Sequence, residues 1–180
     1  TTTMTYDDLG RLLTQTNAAN ETVTYAYNDG CSSCGGGGIA SITYPDNTSV
    51  EYGYDLSGRL ISVTDPADNV TTYAYDTAGR LYRIYPPNSS GAYVEFTYDL
   101  LDRQTAMRDL AGKMQYTEYD YLDRVVRIAD HNNATLAAYT YSIIGQRLTA
   151  TDGRGNTTTW AYNTGGDVYY EKDELNKYRY

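Results

Sequence analysis

Large side chains alternate with small or polar ones along most of this chain, and no window shows the 3.6-residue period of an amphipathic helix. In Val23-Thr24-Tyr25-Ala26-Tyr27 and Thr72-Tyr73-Ala74-Tyr75 the aromatic residues stand two apart. Residues two apart share one face of a strand, so these segments read as strands with an aromatic face and a small or polar face. Tyr, Val, Thr and Trp also suit a pleated surface. Further apolar alternation at Ile61/Val63, Tyr82/Ile84, Val126/Ile128 and Leu148/Ala150, with Leu13 and Met107 in the same place, marks a second strand in each repeat. Ile39-Ala40-Ser41-Ile42-Thr43-Tyr44 reads as another.

The strands are punctuated by one phrase, Tyr75-Asp76-Thr77-Ala78-Gly79-Arg80-Leu81, with close copies at Tyr6–Leu12 and Tyr54–Leu60. Units start near Tyr6, Tyr27, Tyr54, Tyr75, Tyr98, Tyr119, Tyr141 and Tyr162, at steps of 21, 27, 21, 23, 21, 22 and 21 residues. A period of this length is the signature of a repeat architecture. With each initial tyrosine taken as an anchor, the residue two before it is Tyr25, Tyr52, Tyr73, Phe96, Thr117, Tyr139 or Trp160.

The Asp or Asn after the anchor can bond its own backbone two residues on and start a turn. The slot four after the anchor holds Gly10, Gly58, Gly79, Gly145 and Gly166, with Asp102 and Asp123 in two copies. That slot is expected to need positive φ, which Gly adopts freely and Asp tolerates. Eleven residues past the anchor come Asn17, Asp65, Pro86, Asp109, Asp130, Asp152 and Asp173, the start of a second turn. Each unit thus reads strand, turn, strand, turn.

An isolated hairpin is marginal in water. Hairpins of this kind are therefore expected to zip edge to edge into a continuous, curled antiparallel sheet, with tyrosines aligned in cross-strand aromatic ladders. Residues 1–180 read as a single segment of such an array. The chain starts at Thr1 without methionine and stops within another copy, so the expectation is a piece of a longer protein.

The copy from Tyr27 departs from the pattern: residues 28–38 form a glycine-rich insertion containing Cys31 and Cys34. The Cys-x-x-Cys spacing also occurs in zinc and redox sites. A structural zinc wants four ligands and a thioredoxin-like pair wants a βαβ context; with neither in the sequence, an insertion loop, with or without a local disulfide, is the favoured reading.

Charge narrows the partners. With 14 basic and 23 acidic residues the net charge is −9, and no basic run is present, which argues against nucleic acid and against an anionic membrane patch. No apolar stretch approaches a membrane span. His131, the one histidine, lies in the turn string Asp130-His131-Asn132-Asn133 with no nucleophile nominated beside it. The recurring turn Asp residues lack the spacing of a calcium loop. Acids that recur with the fold are unlike the single tuned pair a glycosidase needs. No catalytic, cofactor-binding or metal residue is nominated, and the chain reads as a non-enzyme without cofactor.

The phrase Tyr-Asp-x-x-Gly-Arg-Leu, followed by a strand, an Asp-rich turn and an aromatic-x-Tyr strand, resembles the RHS/YD-repeat family from Tyr6 to the end of the chain. Later copies drift, with Asp102 and Asp123 in the Gly slot and Gln146 and Asp167 in the Arg slot. The family includes bacterial polymorphic-toxin shells, components of insecticidal toxin complexes, wall-associated proteins and teneurins. The resemblance implies a β-sheet spiralling into a hollow shell, in a large protein secreted or displayed at the cell surface, with a bacterial source favoured. In the bacterial toxins that shell encloses a C-terminal toxic domain. The implied partners are neighbouring repeats and such a domain. The alternative is a surface adhesion array that binds carbohydrate through outward aromatics.

Overall fold

The computed structural model describes residues 1–28, 37–175 and 177–179. Every regular element among them is a β-strand. The chain forms two compact units, Thr1–Tyr93 and Val94–Tyr180. Unit 1 contains β1 (Thr3–Tyr6), β2 (Leu12–Thr16), β3 (Thr22–Tyr27), β4 (Ile39–Thr43), β5 (Ser49–Tyr54), β6 (Leu60–Thr64), β7 (Val70–Tyr75) and β8 (Leu81–Tyr85). Unit 2 contains β9 (Val94–Tyr98), β10 (Gln104–Arg108), β11 (Met114–Tyr119), β12 (Val125–Ala129), β13 (Thr135–Tyr141), β14 (Arg147–Asp152), β15 (Thr157–Tyr162), β16 (Val168–Lys172) and β17 (Tyr178–Arg179).

Within each unit every strand pairs antiparallel with the next in sequence, so both are meanders of the kind the repeat predicts. Among the described residues only Ala106 and Ala129 are buried apolar side chains, and no large side chain is fully buried. The units are single-layer sheets held by strand pairing and by what lies along their faces, without the second layer that covers an ordinary core.

One face carries hydroxyls that pair across strands: Thr5 with Thr14 at 2.6 Å, Thr16 with Thr22 at 2.8 Å, Thr140 with Thr149 at 2.7 Å and Thr151 with Thr157 at 2.8 Å. On the other face, the expected ring-over-ring stacking gives way to a different pairing. Tyr25 lies opposite Ile42, Tyr52 opposite Val63 and Tyr73 opposite Ile84. Aromatic rings against β-branched side chains are favourable cross-strand neighbours in their own right. Ring–ring contacts occur elsewhere, at Tyr85–Tyr93, Tyr169–Tyr170 and Tyr170–Tyr178.

The register explains the change. Each hairpin that follows an anchor tyrosine shifts by one residue beside that tyrosine, as between Gly53 and Tyr54 or Ala74 and Tyr75. Tyr54 pairs with Leu60 while Gly53 pairs with Ser62, which leaves Ile61 as the extra residue of a β-bulge. The shift sets the aliphatic Val63, and not a ring, opposite Tyr52.

The turn clamp, the candidate functional site

The side chains that recur most faithfully converge at the turn after each anchor. In the first copy the Asp7 N–H donates to the Arg11 carbonyl at 2.9 Å and the Gly10 N–H to the Asp7 carbonyl at 3.0 Å. The Asp7 carboxylate accepts from the N–H groups of Leu9 at 3.0 Å and Arg11 at 2.8 Å. Its other oxygen takes the Arg11 guanidinium at 2.6 Å. Asp55, Asp76, Asp99 and Asp120 repeat this arrangement.

The residue that closes the loop is left-handed in every case, with φ of 77° at Gly58, 86° at Gly79, 63° at Asp102 and 62° at Asp123. The positive-φ slot read from the sequence is therefore correct at all seven positions. The Arg59 backbone amide, then its side chain, holds the Asp55 carboxyl below its ordinary value. The Arg80 amide does the same at Asp76, against a smaller opposing effect of burial. At Asp99 and Asp120 the guanidinium hydrogen bond from Arg103 or Arg124 is the chief cause.

The arginine also reaches forward. Arg11 lies 4.4 Å over the ring of Tyr27, Arg59 4.7 Å over Tyr75, Arg103 4.9 Å over Tyr119 and Arg124 4.7 Å over Tyr141. Each of those rings belongs to the next repeat. Its hydroxyl then donates back to the carbonyl that follows the arginine: Tyr27 to Leu12 at 2.8 Å, Tyr75 to Leu60 at 2.8 Å, Tyr119 to Gln104 at 2.9 Å and Tyr141 to Val125 at 2.9 Å. Arg103 and Arg124 also donate to the first carbonyl of the next turn, at Asp120 (3.0 Å) and Ser142 (2.8 Å). Asp, Arg and the following Tyr thus form a clamp that joins one hairpin to the next.

The arrangement is electrostatic and apolar at once. A guanidinium between a carboxylate and a ring face uses its in-plane donors on one and its flat face on the other. Reading the sequence in single units located the Asp–Arg pair and missed the forward reach. The missed signal was a spacing of 16 from Arg11 to Tyr27, Arg59 to Tyr75 and Arg103 to Tyr119.

Exceptions follow the sequence drift. Gly38 stands in the arginine slot of the insertion copy, and a Cβ there would lie 3.1 Å from the Tyr54 ring. Tyr54 still donates to the Ile39 carbonyl at 3.0 Å, and burial raises its pKa. The insertion closes as a regular turn does, by the Asn28 N–H to the Gly38 carbonyl at 3.0 Å. Cys31 and Cys34 lie outside the described residues.

His131 is exposed in its turn, on an open groove of unit 2 of about 740 Å³ that Tyr116, Glu118 and Asn133 also line. Glu118 is tied to Arg127 at 2.6 Å. Among the described residues no cluster of three His, Cys, Asp or Glu side chains is placed to hold a metal, and no helix is long and apolar enough to cross a membrane.

Known proteins share the fold. Residues 1–99 match the family described as Teneurin YD-shell. Among solved structures, TcdB2-TccC3 without its hypervariable C-terminal region superposes with TM-score 0.73 at 17% identity, over 96% of this chain and 10% of that one. The Photorhabdus luminescens Tc holotoxin pore superposes with TM-score 0.73 at 17% identity, over 98% and 10%. TcdB2-TccC3 itself gives TM-score 0.72 at 18% identity, over 96% and 10%. At such identities the likeness is one of fold, and the chain spans about a tenth of those structures. No curated protein sequence matches.

Proposed function

We propose that this chain, which belongs to the Teneurin YD-shell family, is a wall segment of a hollow shell that encloses a C-terminal toxic domain. The parent protein is exported or displayed at a bacterial surface, and residues 1–180 form one run of its repeat array. The chain's place in a shell family supports this reading, in which its work is mechanical and needs neither catalysis nor cofactor. The observation that carries the reading is the turn clamp, which from Arg11, Arg59, Arg103 and Arg124 fastens a hairpin to its successor in sheets with almost no buried core among the described residues. A surface built that way extends by repetition and leaves both faces open, which suits a wall.

The test is limited proteolysis of the full-length parent protein. Protection of its C-terminal region, lost when arginines of several clamps are replaced together, is the expected result. Equal digestion of that region with the repeats intact would overturn the enclosure. A second reading, adhesion to surface carbohydrate, draws on the open groove beside Tyr116 and His131. Glycan-array binding abolished by Tyr116→Ala would favour it.

A further inference from the structure

Of the eleven asparagines in this chain, six are followed two places on by Ser or Thr with no proline between: Asn20, Asn47, Asn69, Asn88, Asn133 and Asn156. Ser and Thr are 34 of the 180 residues, so composition alone would supply about two such cases. All six lie in the turns opposite the anchor ends. Four are in unit 1, between β2 and β3, β4 and β5, β6 and β7, and after β8. Two are in unit 2, between β12 and β13 and between β14 and β15. The asparagines that follow anchors, Asn28 and Asn163, have glycine at that place.

Turn and sheet chemistry do not account for the pairing. Asparagine suits the left-handed slot of a turn, and a strand would then keep its hydroxyls on one face wherever the asparagine stood. Instead the hydroxyl moves with the asparagine. Asn20 and Asn47 fill the left-handed slot, at φ 60° and 64°, and their Thr22 and Ser49 lie opposite Thr16 and Thr43 on the hydroxyl face. Asn69 and Asn156 stand one place later. Their Thr71 and Thr158 lie opposite Val63 and Ala150, on the face that carries the rings. The turn between β10 and β11, with Gly112 and Lys113 in these two slots, continues into Met114 and Gln115.

We propose that these turns are glycosylation sites, with Asn20, Asn47 and Asn133 as the acceptors in the folded chain. Asn-x-Ser/Thr on an exposed loop is the acceptor sequence for an N-linked sugar. All three are exposed at left-handed turn positions, Asn133 at φ 63°. Within the described residues the side-chain amides of Asn20 and Asn47 make no hydrogen bond. The Asn133 side chain uses only its oxygen, which accepts from Arg127 at 3.0 Å. The other three amides are occupied: Asn69 donates to Asp65 at 3.0 Å, Asn88 to Asn69 at 3.1 Å and Asn156 to Asp152 at 2.9 Å. The partner is an asparagine glycosyltransferase, and the donor is a sugar activated by a diphosphate at C1. The Asn Nδ2 bonds to C1 as the C1–O bond breaks. The diphosphate leaves with that electron pair, and a base of the transferase takes the Nδ2 proton. Sugars at the strand ends leave both sheet faces open, so the inference does not depend on what the proposed wall encloses.

The experiment is peptide mass spectrometry on the full-length parent protein purified from its own cells, with every modified residue assigned by fragmentation. Whole hexose or N-acetylhexosamine masses on Asn20, Asn47 and Asn133, with Asn17 and Asn163 bare, are the expected result. Thr22→Ala, Ser49→Ala and Thr135→Ala, expressed in the same cells, should each abolish the sugar on their own asparagine and leave it on the other two. Thr22→Ser should keep it, which separates loss of the acceptor sequence from loss of the fold. Bare asparagines throughout, sugar that survives the alanine changes, sugar on the serine and threonine hydroxyls, or a preference for Asn69, Asn88 and Asn156 would each overturn the proposal. Limited proteolysis of the same samples reads the enclosure separately.

Discussion

Each repeat turns twice on one backbone design, and the two turns reach the next repeat by different means: an arginine at the anchor end and, at Asn69, one side-chain amide bond from Asn88 at 3.1 Å. At the anchor end, Asp55 accepts from the Ser57 and Arg59 amides, and Gly58 closes the loop at φ 77°. At the other end, Asp65 accepts from the Ala67 and Asn69 amides, and Asp68 closes the loop at φ 61°. The fifth residue makes the difference. Arg59 spans from Asp55 to the ring of Tyr75 in the next repeat, whereas Asn69 folds its amide back onto Asp65 at 3.0 Å. Both turns reverse the chain. The arginine of the first couples neighbouring hairpins through an ion pair and a ring, whereas the Asn69–Asn88 bond of the second is exposed and neutral, so the anchor end carries most of the cooperativity.

The largest effect that can break this comparison comes from the aspartates. Asp55→Ala removes the acceptor for two amides and strands Arg59 without its carboxylate, and it is expected to lower the thermal midpoint by roughly 5 °C. Asp65→Ala loses the same amide contacts but leaves only a neutral amide unpaired, and about half that shift is expected. Calorimetry of the two variants decides the matter; equal shifts would reduce the clamp to an ordinary turn.

Next comes the arginine itself. Arg59→Ala forfeits a half-exposed ion pair and a cation–π contact, together about 1–2 kcal/mol. Asn69→Ala is expected to cost about 0.5 kcal/mol. Native-state hydrogen exchange sharpens the contrast: Arg59→Ala should loosen amides in β7, in the following repeat, as well as in β6. Asn69→Ala should affect the β6–β7 turn and the turn at Asn88, which donates to it, and leave the amides within β7 unchanged. Arg59→Lys should recover less than half of the loss, because an ammonium lacks both the planar fork and the flat face.

Much of this was legible before any coordinates. The left-handed slot at Gly58 and Asp102 followed from residue type at fixed spacing, since few residues accept positive φ. The second turn needs the same conformation, at Asn20, Asp68, Gly112, Asn133 and Gly155. Those residues stand 14 after their anchors, a column of Asn, Asp and Gly that was equally readable. The aromatic ladder failed for a different reason. Which residue faces a tyrosine depends on the register, and the bulge at Ile61 sets Val63 opposite Tyr52. The forward reach of Arg59 to Tyr75 depends on that bulge and on sheet twist, neither of which single-residue patterns encode.

Acid offers a graded way to weaken both turns. Asp55, Asp76, Asp99 and Asp120 at the anchor ends, and Asp65 and Asp152 at the other ends, have carboxyls held below the ordinary 3.8. At Asp65 and Asp152 the side-chain amide of Asn69 or Asn156 is the main cause. A carboxyl with a depressed folded value stabilises fully above its unfolded value and loses that contribution as the pH falls through the folded one. Stability should therefore be level above about pH 5 and decline from about pH 4 downward. Asp55→Asn keeps an acceptor for the amides, as Asn163 does naturally, and removes the titrating charge. Its thermal midpoint should be lower at pH 7 and fall less between pH 5 and 2.5, measured by circular dichroism. A parallel decline would remove Asp55 from the acid response.

The smallest effect runs in the stabilising direction. Asp68 is exposed and sits at φ 61°, in the slot that Gly58 fills at the anchor end. A non-glycine residue held left-handed is strained, but glycine gives up more conformational freedom on folding, so the two effects partly cancel. The same exchange occurs naturally between Asp68 and Gly112, one slot in two repeats with φ of 61° and 81°. Asp68→Gly is accordingly expected to raise the midpoint by about 1–2 °C, a few tenths of a kcal/mol. Gly79→Ala, at φ 86° with Arg59 Nη1 3.4 Å from the added Cβ, should go the other way by about 1 kcal/mol and disturb the clamp arginine as it does so. If the glycine substitution destabilised at Asp68, the backbone at the non-anchor turn would be set by that side chain and not by φ alone, and the two turns would differ in more than their fifth residue.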